Sequence, residues 1–112
     1  MYHRFNENKY PSTNIQMNIF EDHIRKIKEL KLNFYNPSDL EENYYIPKKD
    51  KKILITIDDA FSSFYKNAWP YLKKNKIPFI LFVSTEPVGK RGYMTWEQIK
   101  EVESYSFANI GH

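Results

Sequence analysis

The sequence predicts an α/β fold built on a parallel sheet, and three observations point that way. Strand-like and helix-like segments alternate along the chain. Two apolar runs, at 52–57 and 78–83, are continuous and do not alternate with polar residues. Amphipathic segments with capping residues stand between them. Continuous apolar runs are what parallel strands covered on both faces require. A strand–helix–strand order then implies right-handed crossovers, with any ligand site beyond the carboxyl ends of the strands. With 112 residues the chain is of a size for one domain, residues 1–112.

The first strand is expected at Tyr2–Phe5, followed by a polar loop through Tyr10-Pro-Ser-Thr-Asn14. A helix should run from Asn18 to Lys31, because Phe20, Ile24, Ile27 and Leu30 recur at helical spacing on one face. Asn18 with Glu21 has the spacing of a capping box. Residues 36–50 read as loop, with one short helical turn after Ser38. The clearest strand follows, Lys52-Ile-Leu-Ile-Thr-Ile57, and then a helix over Ser62–Asn75 interrupted at Pro70, which lacks an amide donor. Pro78–Val83 is the next strand. Thr95 and Gln98 open a third helix as a capping box, reaching Ser104, and Phe107–Ile110 closes the series as a fourth strand.

Composition narrows the function classes. Hydrophobic residues make up 41% of the chain and aromatic residues 17%, enough to bury a core. The absence of cysteine removes disulfides, thiolate metal sites and cysteine nucleophiles. The net charge of +3 is carried by short lysine runs flanking apolar segments, with no basic stripe interleaved with stacking aromatics, so no nucleic-acid partner is expected. No apolar stretch reaches the roughly 18 residues of a membrane span, and no charged-then-apolar leader precedes the first strand. The three glycines, Gly89, Gly92 and Gly111, form neither a phosphate loop nor a dinucleotide fingerprint, and no G-x-S-x-G elbow is present. Nothing in the pattern sets an oligomeric state.

The chemistry points to Asp58 and Asp59, at the carboxyl end of the 52–57 strand. Two adjacent carboxylates there repel and are costly to desolvate without a cation or a shared proton. The pair could equally be a solvated loop, or Asp59 a cap for the helix that follows. His3, near the end of the first strand, is read as a half-buried structural histidine, with a place beside the site as the alternative. His23 is read as structural, and Trp69 and Trp96 as core packing on their helices.

Ile55-Thr-Ile-Asp-Asp-Ala60 resembles the first motif of the polysaccharide deacetylases (carbohydrate esterase family 4, nodulation-type deacetylase domain), usually written T-F-D-D-G. It departs at Ile57 and Ala60. Met1-Tyr-His-Arg-Phe5, Tyr10-Pro-Ser-Thr-Asn-Ile15, Ala68-Trp-Pro70, Pro78-Phe-Ile-Leu-Phe-Val83 and Tyr93-Met-Thr-Trp-Glu-Gln98 resemble one branch of that family in the same order. The resemblance implies a parallel (β/α) barrel of the deacetylase type, a fold that needs roughly 200 residues or more, so residues 1–112 correspond to its first half.

The resemblance also implies a hydrolase that removes N-acetyl or O-acetyl groups from a polysaccharide or glycan, in the cell envelope or another extracytoplasmic setting. Asp58 would be the general base and Asp59 a ligand of a divalent metal, zinc or another ion, with two histidines completing the set. Those histidines come from a G-x-H-x-x-x-H pattern. Ile110-Gly111-His112 matches its opening but places His112 one residue before the first ligand, so the metal site is incomplete in this chain unless the alignment shifts by one and makes His112 a ligand. This chain alone is therefore expected to be inactive. The alternatives are a small-amide C–N hydrolase of the same superfamily and a non-catalytic glycan-binding remnant.

Overall fold

The structure is a computed structural model that describes residues 1–37 and 52–111. The short helical turn expected after Ser38 and the residue His112 lie outside the described residues. The first strand, β1 (Arg4–Phe5), is followed by a 3₁₀ turn at Pro11–Thr13 and a second short strand, β2 (Asn14–Ile15). Helix α1 spans Met17–Glu29. After it, β3 (Asn33–Phe34) and β4 (Lys52–Ile53) pair in parallel, as β1 and β2 do. The central sheet is β5 (Ile55–Asp58), β6 (Phe79–Phe82) and β7 (Ala108–Gly111), three parallel strands in sequence order. Helix α2 (Trp69–Asn75) lies between the first two of these strands and α3 (Trp96–Glu103) between the last two. A parallel bridge from Tyr2 to Ile57 ties the amino-terminal segment to β5. The parallel α/β class expected from the alternation is what forms.

Several elements depart from expectation for identifiable reasons. The 52–57 strand divides at Leu54, because β4 pairs with β3 while β5 pairs with β6. Its second half is covered on one face only among the described residues: Ile55 and Ile57 are buried, while Thr56 and Asp58 are half-buried. Helix α1 begins at Met17 with no side-chain cap of its own, so the expected Asn18–Glu21 capping box does not form. Asn6, arriving from β1, accepts the Met17 amide at 2.7 Å and takes over that role. Leu30 falls beyond the helix and is 70% exposed, so only Phe20 and Ile24 of the anticipated stripe are fully buried. Helix α3 starts as predicted: Thr95 Oγ1 accepts from the Gln98 amide at 3.2 Å, and Gln98 Oε1 accepts from the Thr95 amide at 3.0 Å.

Pro70 leaves its mark one turn upstream. A proline cannot donate to the carbonyl four residues back, and the helix over Phe64–Ala68 opens into a π turn, with the Trp69 amide reaching Phe64 O. The core is a run of rings. Phe20 meets Phe5 edge-on at 5.1 Å between centroids, Phe5 meets Phe64 at 6.1 Å, Phe64 meets Phe79 at 5.6 Å, and Phe79 meets Trp69 at 6.0 Å. These rings, with Ile55, Ile57, Leu81, Ile99 and Val102, form one hydrophobic cluster between sheet and helices. Trp69 is core, as its spacing implied, whereas Trp96, the first residue of α3, is 43% exposed.

Three tyrosines register the packing. Burial holds the Tyr2 hydroxyl above the ordinary phenol range. The hydrogen bond from Tyr65 to the Glu101 carboxylate raises Tyr65, and burial followed by Glu21 raises Tyr71. In each case the folded state keeps a proton that the unfolded chain gives up near pH 10, so the stabilisation is complete below that pH and is lost as pH rises through the folded values. Denaturant midpoints are therefore expected to fall as pH rises above about 10. Tyr65→Phe should shrink that alkaline fall, and an unchanged fall would count against the assignment.

Candidate active site

Asp58 closes β5, and the strand register aligns it with Phe82 of β6 and Gly111 of β7 at the carboxyl-terminal edge of the sheet. The pleat turns Asp58 to the half-open face, opposite Ile57. Asp59 is the next residue, but the backbone turns sharply there: Asp59 has φ of 74° and Ala60 has φ of 52°, both left-handed. The Asp58 amide donates to Tyr2 O at 2.7 Å and the Asp59 amide to Phe82 O at 2.9 Å, so each aspartate is tied to a different neighbour of β5.

The carboxylates diverge as a result. Asp58 Oδ2 lies 3.6 Å from His3 Nε2, with both side chains about three-quarters buried. That is ion-pair range, beyond a direct hydrogen bond. Asp59 has a different partner: Ser84 Oγ donates to its Oδ1 at 3.4 Å. His3 is therefore half-buried and stands beside the acid pair. Ser84, which the sequence reading did not single out, is the first polar residue after the apolar 78–83 run, a position that in a parallel sheet falls at the ligand edge. His23, read as structural, is exposed on α1, where its Nδ1 lies 2.7 Å from the Tyr2 hydroxyl.

The loop after β6 braces this edge. The Met94 amide donates to Ala60 O and the Ser62 amide to Gly92 O, both at 2.9 Å, and Phe61 bridges Tyr93. Gly111 sits beneath the Phe82 ring: a Cβ there would lie 2.7 Å from Phe82 Cδ1, so the ring could not keep its place over any other residue.

Among the described residues no group of three or more His, Asp, Glu or Cys side chains could hold a metal ion. Asp59 offers one carboxylate, and the only histidine at this edge among the described residues faces Asp58. A zinc site takes three or four protein ligands, so these residues do not by themselves fit one.

A parallel α/β sheet with two acids and an imidazole at its carboxyl-terminal edge is an architecture that does its chemistry at strand ends. Residues 45–111 match the model of the family described as polysaccharide deacetylase, and the chain belongs to that family. It is 34% identical over 88 residues to the poly-β-1,6-N-acetyl-D-glucosamine N-deacetylase of Staphylococcus aureus (strain MSSA476), an alignment covering 75% of this chain and 29% of that protein. YxkH of Bacillus subtilis (strain 168) is 27% identical over 117 residues, covering all of this chain and 40% of YxkH. The structure of IcaB from Ammonifex degensii superimposes with a TM-score of 0.85 at 31% identity, over 98% of this chain and 49% of IcaB. The chain thus spans less than half the length of the curated relatives it matches.

The turn that separates the carboxylates is a testable feature. Ala60 holds a left-handed conformation that costs a non-glycine residue about 1–2 kcal/mol, and it is buried. Ala60→Gly should remain within about 1 kcal/mol of the parent in urea unfolding, since relief of strain offsets the added freedom of the unfolded chain. Ala60→Val should lose about 2 kcal/mol or more, from branching at a left-handed position and from overpacking. Equal stability of the Gly and Val variants would contradict the turn geometry.

Proposed function

We propose that this chain carries the proton-handling part of a metal-dependent deacetylase acting on an N-acetylated polysaccharide, and that residues 1–112 form the first half of its (β/α) barrel. The observation that carries the reading is the Asp58–His3 pair at the carboxyl-terminal edge of the sheet. The naming of the 34%-identical staphylococcal relative as an N-deacetylase of poly-β-1,6-N-acetyl-D-glucosamine supports a glycan of N-acetylhexosamine units. A substrate of that kind also supports an extracytoplasmic, cell-envelope setting.

Hydrolysis of an acetamide needs a proton taken from water and a proton given to the departing nitrogen. Asp58, half-buried at the strand end, is the acceptor for the first. His3, within ion-pair range of Asp58, is the donor for the second, since imidazole changes charge in the neutral range. The products are acetate and a free amine on the sugar. Asp59 is proposed as one ligand of a divalent ion, zinc or another, with the remaining ligands outside the described residues. The alignment of Asp58 with Gly111 supports histidines that follow Gly111, His112 or those beyond it, as the partners. When bound, such an ion supplies a polarised carbonyl and a water that ionises near neutral pH.

In the protein at the full length of its relatives, the two aspartates should separate. Asp59→Ala is expected to lose bound metal together with acetate release. Asp58→Asn is expected to retain metal while acetate release falls by about 10²- to 10⁴-fold, because an amide does not accept the proton. Metal content and acetate release measured on both variants decide the matter. Loss of metal in Asp58→Asn would make both carboxylates ligands, and full activity in both variants would end the deacetylase reading.

A further inference from the structure

The segment bearing His3 is held at both ends, and its second anchor is not part of any sheet. At one end, the Tyr2 amide donates to Thr56 O at 2.9 Å and Tyr2 O accepts from the Asp58 amide at 2.7 Å. At the other end, the fully buried Phe5 has its amide donating to Ser63 Oγ at 3.1 Å and its carbonyl accepting from Asn67 Nδ2 at 2.8 Å. Ser63 is itself only 5% exposed, the one fully buried polar side chain among the described residues. Ser63 precedes the π turn and Asn67 lies within it, four residues on, in the helix that starts immediately after the Asp58–Asp59 turn. Between the anchors, Arg4 is fixed as well: its guanidinium lies 3.9 Å from the Phe61 ring centroid and 4.3 Å from that of Tyr10, and it pairs with Glu7 at 3.0 Å.

We propose that Ser63 and Asn67 are positioning residues that act through Phe5 to hold His3 against Asp58. This rests on the proton-transfer roles proposed above for His3 and Asp58. Phe5 turns its N–H and C=O away from β2, and buried backbone groups are costly to leave unpaired. The two side chains satisfy both groups from a single helix face, so the strand has one favourable position along that helix. His3 is two residues from this clamp and one from the Tyr2–Asp58 bonds, leaving its backbone no independent freedom. The π turn contributes by setting the phase of Asn67 relative to Ser63. Such one-residue insertions occur often at functional sites. The clamp and the acid pair belong to one continuous piece of chain, 58–67, so any shift of the helix moves base and histidine together.

Asn67→Asp is the sharpest test, since it keeps size while replacing the amide donor with an acceptor. In the full-length protein it should lower kcat for acetate release by about ten- to a hundredfold, with KM within about twofold, because an ångström of misplacement has effects of that order. In a His3→Ala background the same substitution should change kcat by less than about threefold, since there is no longer a histidine to place. An equal loss in both backgrounds would overturn the proposal and leave Asn67 a merely structural residue. The His3 ring resonances in long-range ¹H–¹⁵N spectra give a readout independent of turnover. They should move in Asn67→Asp, and resonances that stay fixed overturn the clamp whether or not the protein is active. Should Asn67→Asp fail to fold, Ser63→Ala, which removes the other bond without adding bulk, is read in the same way. A parent protein without acetate release, but with His3 resonances that respond, would sink the deacetylase function and leave the clamp standing.

Discussion

At the end of β5 the chain carries two carboxylates in succession, and like charges so close in sequence repel more strongly wherever the local dielectric is lower than water. Three backbone features keep them apart. The Asp58 amide is bonded to Tyr2 and the Asp59 amide to Phe82, so the strand ends between two neighbours that pull in opposite directions. Two left-handed residues in a row then reverse the chain. The consequence is chemical: one acid meets an imidazole and the other meets a hydroxyl. Two identical side chains, adjacent in sequence, thereby acquire different partners and the capacity for different roles.

The core is arranged to support that turn. The ring sequence Phe20, Phe5, Phe64, Phe79, Trp69 passes from α1 through β1 and the π turn to β6 and α2, so every element touching the acid pair is also anchored in one cluster. Rings suit this purpose because each buries much area with few rotatable bonds, and edge-to-face pairs add about 1 kcal/mol apiece. This accounts for the heavy use of Phe and Tyr in a chain whose strands are two to four residues long. Strands so short contribute few ladder bonds, and their placement depends on side-chain packing.

That distinction also explains what could be read from the sequence. The β5 and β6 runs, the Thr95–Gln98 box and the position of the acid pair at a strand end were legible because each is encoded within a few consecutive residues. Strands β2 and β3, two residues each, carry too little pattern to stand out and form only because a partner lies alongside. The start of α1 was misplaced because its first amide is satisfied by Asn6, eleven residues upstream, which no local capping rule includes. Leu54 looks like the middle of one apolar strand, yet it is the point where the chain passes from one pairing to another. A place for His3 beside the acids stood only as an alternative in the sequence, and the bonds from Ser63 and Asn67 to Phe5, across more than fifty residues, became visible only with the fold.

One face of β5 and β6 is half-open among the described residues. Phe82 is 41% exposed and Leu54 38%, although parallel sheets bury both faces. Phe82 lies beside Gly111 on one side and Asp58 on the other, so apolar surface and acid share one row of the sheet. The same surface that calls for a cover therefore carries Asp58. IcaB is about twice the length that this chain spans, and any cover over Phe82 that excluded water from this row would strengthen the charge interaction between Asp58 and His3.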